Sequence, residues 1–218
     1  MENARRVCGP CLARVEKIPA PICVICGAPM QSAIATETRC SLCLDHPPHF
    51  ATARAVARYR PSAESDRRSL PSLIRRHKYG LDQSLQKALA EFLGDNLPYS
   101  SDDCDVVIPV PLHHRRLWWR GFNQAALLAA PVARALDARF APSALVRTRD
   151  TTAQATLPRV HRLRNVQSAF VARTLLEGAR VLLVDDVRTT GATLEACASA
   201  LRGAGALDVR SLVLACAE

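Results

Sequence analysis

An α/β fold, with a parallel sheet flanked by helices behind a small cysteine-rich module, follows from three features of the sequence. From residue 105 onward, short continuous apolar runs alternate with segments of helical periodicity, the pattern of strands buried on both faces by their connecting helices. One run, Val181–Val184, ends on two adjacent carboxylates and a loop of small hydroxylated residues that opens a helix. Finally, six of the nine cysteines fall in three Cys-x-x-Cys pairs near the start, where little apolar periodicity exists to build a core.

The chain divides into a Cys-rich module over residues 1–50, a connecting region over 51–103 and an α/β core over 104–218. The first boundary is the breaker cluster Asp45-His46-Pro47-Pro48. Ala51–Tyr59 reads as a strand, Pro61–Arg68 as a polar insertion, Leu70–Lys78 as a short basic helix and Leu81–Leu93 as an amphipathic helix. In the core, Asp105–Val110 is a buried strand and Phe122–Leu136 a helix despite Pro131. Thr148–Gln167 is polar and basic with no period, the length of a functional loop or lid. Ala179–Val184 is a second buried strand, Thr193–Leu201 a helix and Asp208–Cys216 a third strand. Cys104, Cys197 and Cys216 sit in apolar settings and read as core.

At 218 residues the chain suits one α/β domain and a small appendage. No run of about 18 uncharged apolar residues occurs, and Arg, Glu, Lys and Pro interrupt the first 30 residues, so the predicted location is the cytoplasm. The formal charge of +9 is local: from His113 to Arg173, eleven arginines face only Asp137 and Asp150. Such an excess suits phosphates of a nucleotide, a sugar phosphate or a nucleic acid backbone. A solvated basic face is the plainer reading.

The junction after Val184 is the most specific feature. In a parallel sheet it lies at the carboxyl end of a strand, where ligands bind. Thr189, Thr190, Gly191, Ala192 and Thr193 present N–H groups and hydroxyls at a helix start, an arrangement for a phosphate monoester. Gly191 permits close approach of the backbone to the anion. Asp185 and Asp186 repel a phosphate, so their task is to accept hydrogen bonds from sugar hydroxyls. The sequence contains neither Gly-x-x-x-x-Gly-Lys-Ser/Thr nor a strand followed by Gly-x-Gly-x-x-Gly, which removes the main support for P-loop and Rossmann alternatives.

Val181–Thr193 resembles the phosphoribosyl-diphosphate (PRPP) signature of type I phosphoribosyltransferases. Further stretches narrow the resemblance to the ComF/GntX family: Arg75-Arg-His-Lys-Tyr-Gly80, Val107-Ile-Pro-Val-Pro-Leu112, Arg120-Gly-Phe-Asn-Gln124, and Arg147-Thr-Arg-Asp-Thr-Thr-Ala-Gln154 with Arg162 and Asn165. The resemblance implies a type I phosphoribosyltransferase-like fold with an N-terminal zinc ribbon. It also implies a PRPP site over Asp185, Asp186, Val187, Arg188, Thr189, Thr190, Gly191, Ala192 and Thr193, with the carboxylates on the ribose hydroxyls. The loop at Val110, Pro111 and Leu112, continuing to Arg115 and Arg116, would face the pyrophosphate, and Mg²⁺ would accompany PRPP. Transfer to a nitrogen acceptor would pass through an oxocarbenium-like state in which the departing anion needs stabilising. Candidate catalytic residues are then Asp185, Asp186, Arg149 and Arg162. The implied activity is a phosphoribosyltransferase of unidentified acceptor; the alternative is a non-catalytic or regulatory competence factor handling single-stranded DNA. A third reading makes the chain a ligand-sensing partner of another protein, docked through the ribbon.

Cys23-x-x-Cys26 and Cys40-x-x-Cys43 supply four soft ligands in two knuckles, a closed structural zinc shell with no open position for catalysis. Cys8-x-x-Cys11 lacks a second pair. The resemblance, whose family often carries a double ribbon, implies the remnant of one whose start is missing; a relic or a partner in a shared site are the alternatives. His46 and His49 are spare ligands or loop residues. His113-His-Arg-Arg-Leu-Trp-Trp-Arg120 joins cations to two large rings, the chemistry of single-stranded nucleic acid binding, although packing of Trp118 and Trp119 on a neighbour explains the rings equally well.

Overall fold

The computed structural model describes residues 15–30, 38–60, 69–79, 84–150 and 168–217. The expectations placed on Cys8, Cys11, Arg162 and most of the loop 148–167 lie outside the described residues. Strands β1 (Thr52–Tyr59), β2 (Val106–Pro109), β3 (Arg139–Phe140), β6 (Arg180–Arg188) and β7 (Asp208–Ala217) form one sheet in the order β1-β7-β6-β2-β3. All its neighbours are parallel. β4 (Leu145–Arg147) and β5 (Phe170–Ala172) pair separately and antiparallel. Among the described residues the α-helices are α1 (Ser41–Asp45), α2 (Leu70–Tyr79), α3 (Ser84–Gly94), α4 (His114–Arg120), α5 (Gln124–Ala135) and α6 (Ala192–Gly203).

The side chains of β6 alternate between two cores, as the pleat requires. Leu182 and Val184 pack on one face with residues of α2, α3 and α5, and Val181 and Leu183 on the other with α6 and β4. All four are fully buried. Each large apolar side chain so buried contributes about 1.5–3 kcal/mol. Leu70, Leu73 and Ile74 therefore dock α2 without help from its charged residues.

Several helices begin and end where local chemistry dictates. Asn123 caps α5 by accepting from the N–H of Ala125 at 3.1 Å. Pro131 sits inside that helix, where a missing N–H and ring clash cost about 3 kcal/mol. The buried face of Leu128, Ala129, Val132 and Ala133 offsets this. Gly121, at φ 79°, closes α4 through its N–H on the Leu117 carbonyl at 2.7 Å, a left-handed position suited to glycine.

Two departures from the sequence reading concern length. β6 does not stop at Val184 but continues through Arg188, so the acidic pair lies within a strand rather than in the loop after it. The stretch expected as loop around Arg115 and Arg116 is the short helix α4. β4 and β5, three residues each, are too short for alternation to have announced them.

The Cys-rich module grips the free side of β1. The Ala53 N–H donates to the Ile25 carbonyl at 2.7 Å, and the Arg54 guanidinium to the Val24 carbonyl at 2.8 Å. Gly27, at φ 66°, approaches so closely that a Cβ there would stand 2.6 Å from the Ala53 carbonyl oxygen. Among the described residues no helix is long and apolar enough to cross a membrane.

Candidate functional site

Alternation along β6 sends its two carboxylates to opposite sides of the sheet. Asp186 continues the row of Leu182 and Val184 toward α2, and Asp185 the row of Val181 and Leu183 toward α6 and β4. Each carboxylate accepts from the next backbone N–H: Asp185 from Asp186 at 2.9 Å, and Asp186 from Val187 at 2.8 Å. After Arg188 the chain turns through Thr189 and Thr190 to Gly191, whose φ of 80° opens α6. The Thr190 hydroxyl accepts from the Ala192 N–H at 3.4 Å, and the Gly191 carbonyl from the Glu195 N–H at 2.9 Å. Asp185 and the segment from Val187 to Leu194 line a hollow of about 30 Å³. Orphan N–H groups at a helix start and the positive end of the helix dipole favour an anion here. A wider recess of about 440 Å³, bounded by Lys17, Arg54, Val56 and Leu97, shares none of these residues.

Lys78 of α2 sets its ammonium 2.7 Å from Asp186 Oδ2, with the two side chains 20% and 4% exposed. Burial works against the ammonium, but the carboxylates of Asp186 and Asp185 outweigh it and move Lys78 above its ordinary range. Burial pushes the Asp185 carboxyl up to about 8, the charge of Asp186 adds to the push, and Lys78 opposes it. The acidic pair is therefore electrostatically uneven, the usual outcome when adjacent carboxylates leave water.

The loop after β2 is fixed to the core. Val110 donates its N–H to the Val184 carbonyl at 2.9 Å and accepts from the Asn123 amide at 3.1 Å. Pro111 is buried and Leu112 half-buried. On α4, Arg116 Nε lies 3.6 Å from Asp150, which also stands 3.8 Å from His113 Nδ1. Arg115 is exposed. Burial, with the charge of Arg116, lowers the Arg147 guanidinium, while Asp150 and Asp185 act to raise it. Arg149 donates to the Ser168 hydroxyl at 3.4 Å. Of the arginines expected to serve one anion, Arg115 and Arg116 lie on α4 and Arg149 just beyond β4. The Arg188 guanidinium is committed elsewhere, to the Cys26 carbonyl and, at 2.9 Å, to Cys216 Sγ.

Cys23, Cys26, Cys40 and Cys43 bring their sulfurs within 4.8 Å of one another. Cys26 and Cys40 Sγ are 3.7 Å apart, close to the edge of about 3.8 Å for a tetrahedron of thiolates at zinc bonding distance. Burial acts to raise the Cys23 thiol, but N–H groups of Cys40, Cys26 and Ile25 on its sulfur outweigh this and bring it down to about 6. Burial, reinforced by Cys26, drives Cys43 strongly upward, the direction expected where thiols crowd one another. The donor set, its spacing and its backbone donors fit a zinc ion. His49 does not join it. Its backbone N–H donates to Glu195 Oε2 at 3.0 Å and its Nδ1 contacts the same carboxylate, tying the end of the module to the first turn of α6.

The structure places Asp185, Asp186 and Thr189–Thr193 along one strand-to-helix junction and the four cysteines in one cluster, and it adds Lys78, which sequence reasoning did not single out. The only signal was its place in the Arg75–Gly80 stretch, which says nothing of spatial partners.

The family model for the phosphoribosyl transferase domain matches residues 123–217. The DNA utilization protein YhgH of Escherichia coli O6:H1 is 34% identical over 215 residues, covering 94% of this chain and 87% of that protein. Competence protein F of Haemophilus influenzae is 30% identical over 212 residues with the same coverage. Competence protein ComFC of Streptococcus pneumoniae is 32% identical over 147 residues, 67% of this chain and 63% of that one. Among solved structures, glutamine phosphoribosylpyrophosphate amidotransferase from B. subtilis aligns over 59% of this chain and 25% of its own, with 23% identity and a TM-score of 0.40.

The raised Asp185 carboxyl has a consequence for stability. The folded protein keeps its proton to about pH 8, whereas an unfolded chain releases it near pH 4. Between these values the folded state binds more protons, so stability falls as pH rises. Asp185→Asn removes this loss. Thermal unfolding followed by circular dichroism should show its melting temperature gaining on the wild type between pH 5 and pH 8.5, by a few degrees. A difference that stays constant with pH would contradict the placement of Asp185.

Proposed function

We propose, for a chain that belongs to the ComF family of phosphoribosyltransferase-like proteins, that the junction of β6 and α6 binds the ribose 5-phosphate portion of PRPP. One observation carries this reading: a buried parallel strand delivers two adjacent carboxylates immediately before a glycine-opened helix start. The N–H groups and hydroxyls from Thr189 to Thr193 suit the 5′-phosphate, and the carboxylates suit the sugar hydroxyls. The loop from Val110 to Leu112, with Arg115, Arg116, Arg147 and Arg149 nearby in sequence or space, supports a place for the diphosphate.

In the transfer reaction a nitrogen lone pair would form the bond to C1 of the ribose as the bond from C1 to the diphosphate oxygen breaks. The diphosphate leaves with that electron pair, and the nitrogen loses a proton. Mg²⁺ would supply charge neutralisation on the diphosphate. The chain's own residues hold the sugar, orient C1 and offer arginines to the departing anion. Zinc in the four-cysteine cluster would be structural.

A second reading draws on α4. Trp118 and Trp119 are 88% and 63% exposed and Leu117 is 42% exposed, so the rings are not packed on a neighbour as the plainer reading supposed. Two open rings on a helix that also carries Arg115 and Arg116 suit stacked bases and phosphates. The relatives' names, a DNA utilization protein and competence proteins, are consistent with such a partner.

Calorimetry with PRPP and Mg²⁺ should detect binding that Asp185→Ala/Asp186→Ala abolishes; equal affinity in the double variant would refute the site. Elemental analysis should find zinc in the purified protein, reduced in Cys26→Ser; a metal-free, fully folded protein would refute the ribbon. Single-stranded DNA should quench tryptophan fluorescence, with affinity falling steeply with salt and on Trp118→Ala/Trp119→Ala. Quenching that ignores salt would argue against the nucleic-acid reading.

A further inference from the structure

Lys78 stands where an ordinary packing residue would serve. Its helix is already anchored by Leu70, Leu73 and Ile74, and taking an ammonium out of water costs more than burying an apolar chain of the same length. Yet both neighbours of Lys78 are held in place. The His77 ring, 1% exposed, packs on Phe122 with centroids 5.4 Å apart, and the Arg120 guanidinium lies 5.4 Å from the centroid of the Tyr79 ring. Arg120 is itself 7% exposed and donates to Gln124. The end of α2 is thus clasped on either side of Lys78 by the segment Arg120–Gln124, and the ammonium is aimed at the sheet end that carries Asp186. A lysine set against one member of an acidic pair whose other member lines the hollow before α6 is arranged for a ligand rather than for the hydrophobic core.

We propose that Lys78 is a positioning residue of the donor site: its ammonium fixes the Asp186 carboxylate as an acceptor for a ribose hydroxyl and sets the charge that Asp185 experiences. The inference rests on the reading of the β6–α6 junction as a ribose 5-phosphate site and adds to it a residue from outside the core. The groups facing the acidic pair come from each element packed against it. Lys78 lies on α2, Cys197 on α6 and Arg147 on β4. Of these, Lys78 alone makes a hydrogen-bond-length contact with a carboxylate among the described residues. Burial and the charge of Asp186 raise Asp185, and Lys78 works against both. Removal of the ammonium would therefore raise the Asp185 carboxyl further, as well as free the Asp186 side chain.

The test uses the full chain with Lys78→Met, which keeps the aliphatic stem, and Lys78→Arg, which keeps the charge. PRPP with Mg²⁺ is titrated calorimetrically from pH 6.5 to 9.5, and folding is followed by circular dichroism. Lys78→Met should bind about tenfold or more weakly at pH 7.5, the loss expected when a charged hydrogen bond is removed. The pH midpoint of its affinity profile should move upward from the wild-type midpoint. Lys78→Arg should keep the wild-type midpoint and most of the affinity. Should Lys78→Met not fold, Lys78→Gln carries the same comparison. An unchanged affinity and midpoint in the uncharged variant, or a loss of equal size at every pH, overturns the inference and leaves the donor site standing. A wild-type protein that does not bind PRPP removes the donor site and this role of Lys78 with it.

Discussion

Asp185 and Asp186 end a run of four fully buried residues in the central strand of a parallel sheet, and adjacent carboxylates drawn away from water repel each other as well as losing hydration. Everything around them answers that constraint. The pleat separates the two groups to opposite faces, each accepts one backbone N–H, and α2 supplies a cation to one of them. Asp185 has no comparable contact among the described residues, and burial with the charge of Asp186 raises its carboxyl. An arrangement chosen for stability alone would place apolar side chains at both positions. The sheet tolerates the pair because Val181–Val184 and their neighbours in β2 and β7 bury enough apolar surface to hold the strand end in register.

The same strand end couples the anion hollow to the cysteine module. Arg188, last residue of β6, reaches the Cys26 carbonyl, and Glu195, in the first turn of α6, is engaged by His49. These two contacts flank the loop from Thr189 to Thr193 on both sides. Glu195 would otherwise add a negative charge beside a phosphate, and its use as an acceptor for His49 directs that charge toward the module instead. The close approach of Gly27 to Ala53 makes the docking surface backbone against backbone, with little play. A zinc-filled cluster would therefore stiffen not only its own knuckles but the outer wall of the Thr189–Thr193 loop.

Features carried by contiguous residues were legible in the sequence: the central strand, the acidic pair, the glycine-opened helix and the cysteine knuckles each declare themselves within a dozen positions. What depends on packing did not. Lys78 meets Asp186 only because α2 folds over the sheet, and no local period encodes that contact. The stretches Arg75–Gly80 and Arg120–Gln124, read separately as marks of resemblance, turn out to be two sides of one contact, with His77 on Phe122 and Tyr79 under Arg120. The continuation of β6 through Arg188 was hidden because charged residues inside a strand resemble a loop when only hydropathy is read. The rings of Trp118 and Trp119 admitted packing or exposure, and only the fold of α4 decides for exposure.

The two ends of the site differ in how firmly they are built. The end proposed for sugar and phosphate is held by the longest parallel pairings of the sheet, between β6 and β7, and by the helix that follows. The opposite end is assembled from α4 and an antiparallel pair of three-residue strands, joined by an isolated bridge between His113 and Arg147 and by the reach of Arg116 and His113 to Asp150. The Arg116–Asp150 pair is partly exposed, and such a pair contributes little stability, so that end can rearrange around what it meets at small cost. Rigidity where the ribose phosphate would sit and compliance where its partner would arrive is the order expected of a site that fixes one reactant and admits another. It suits a base of an exposed nucleic acid strand as well as a small nitrogen acceptor, because the open tryptophans lie on the compliant side.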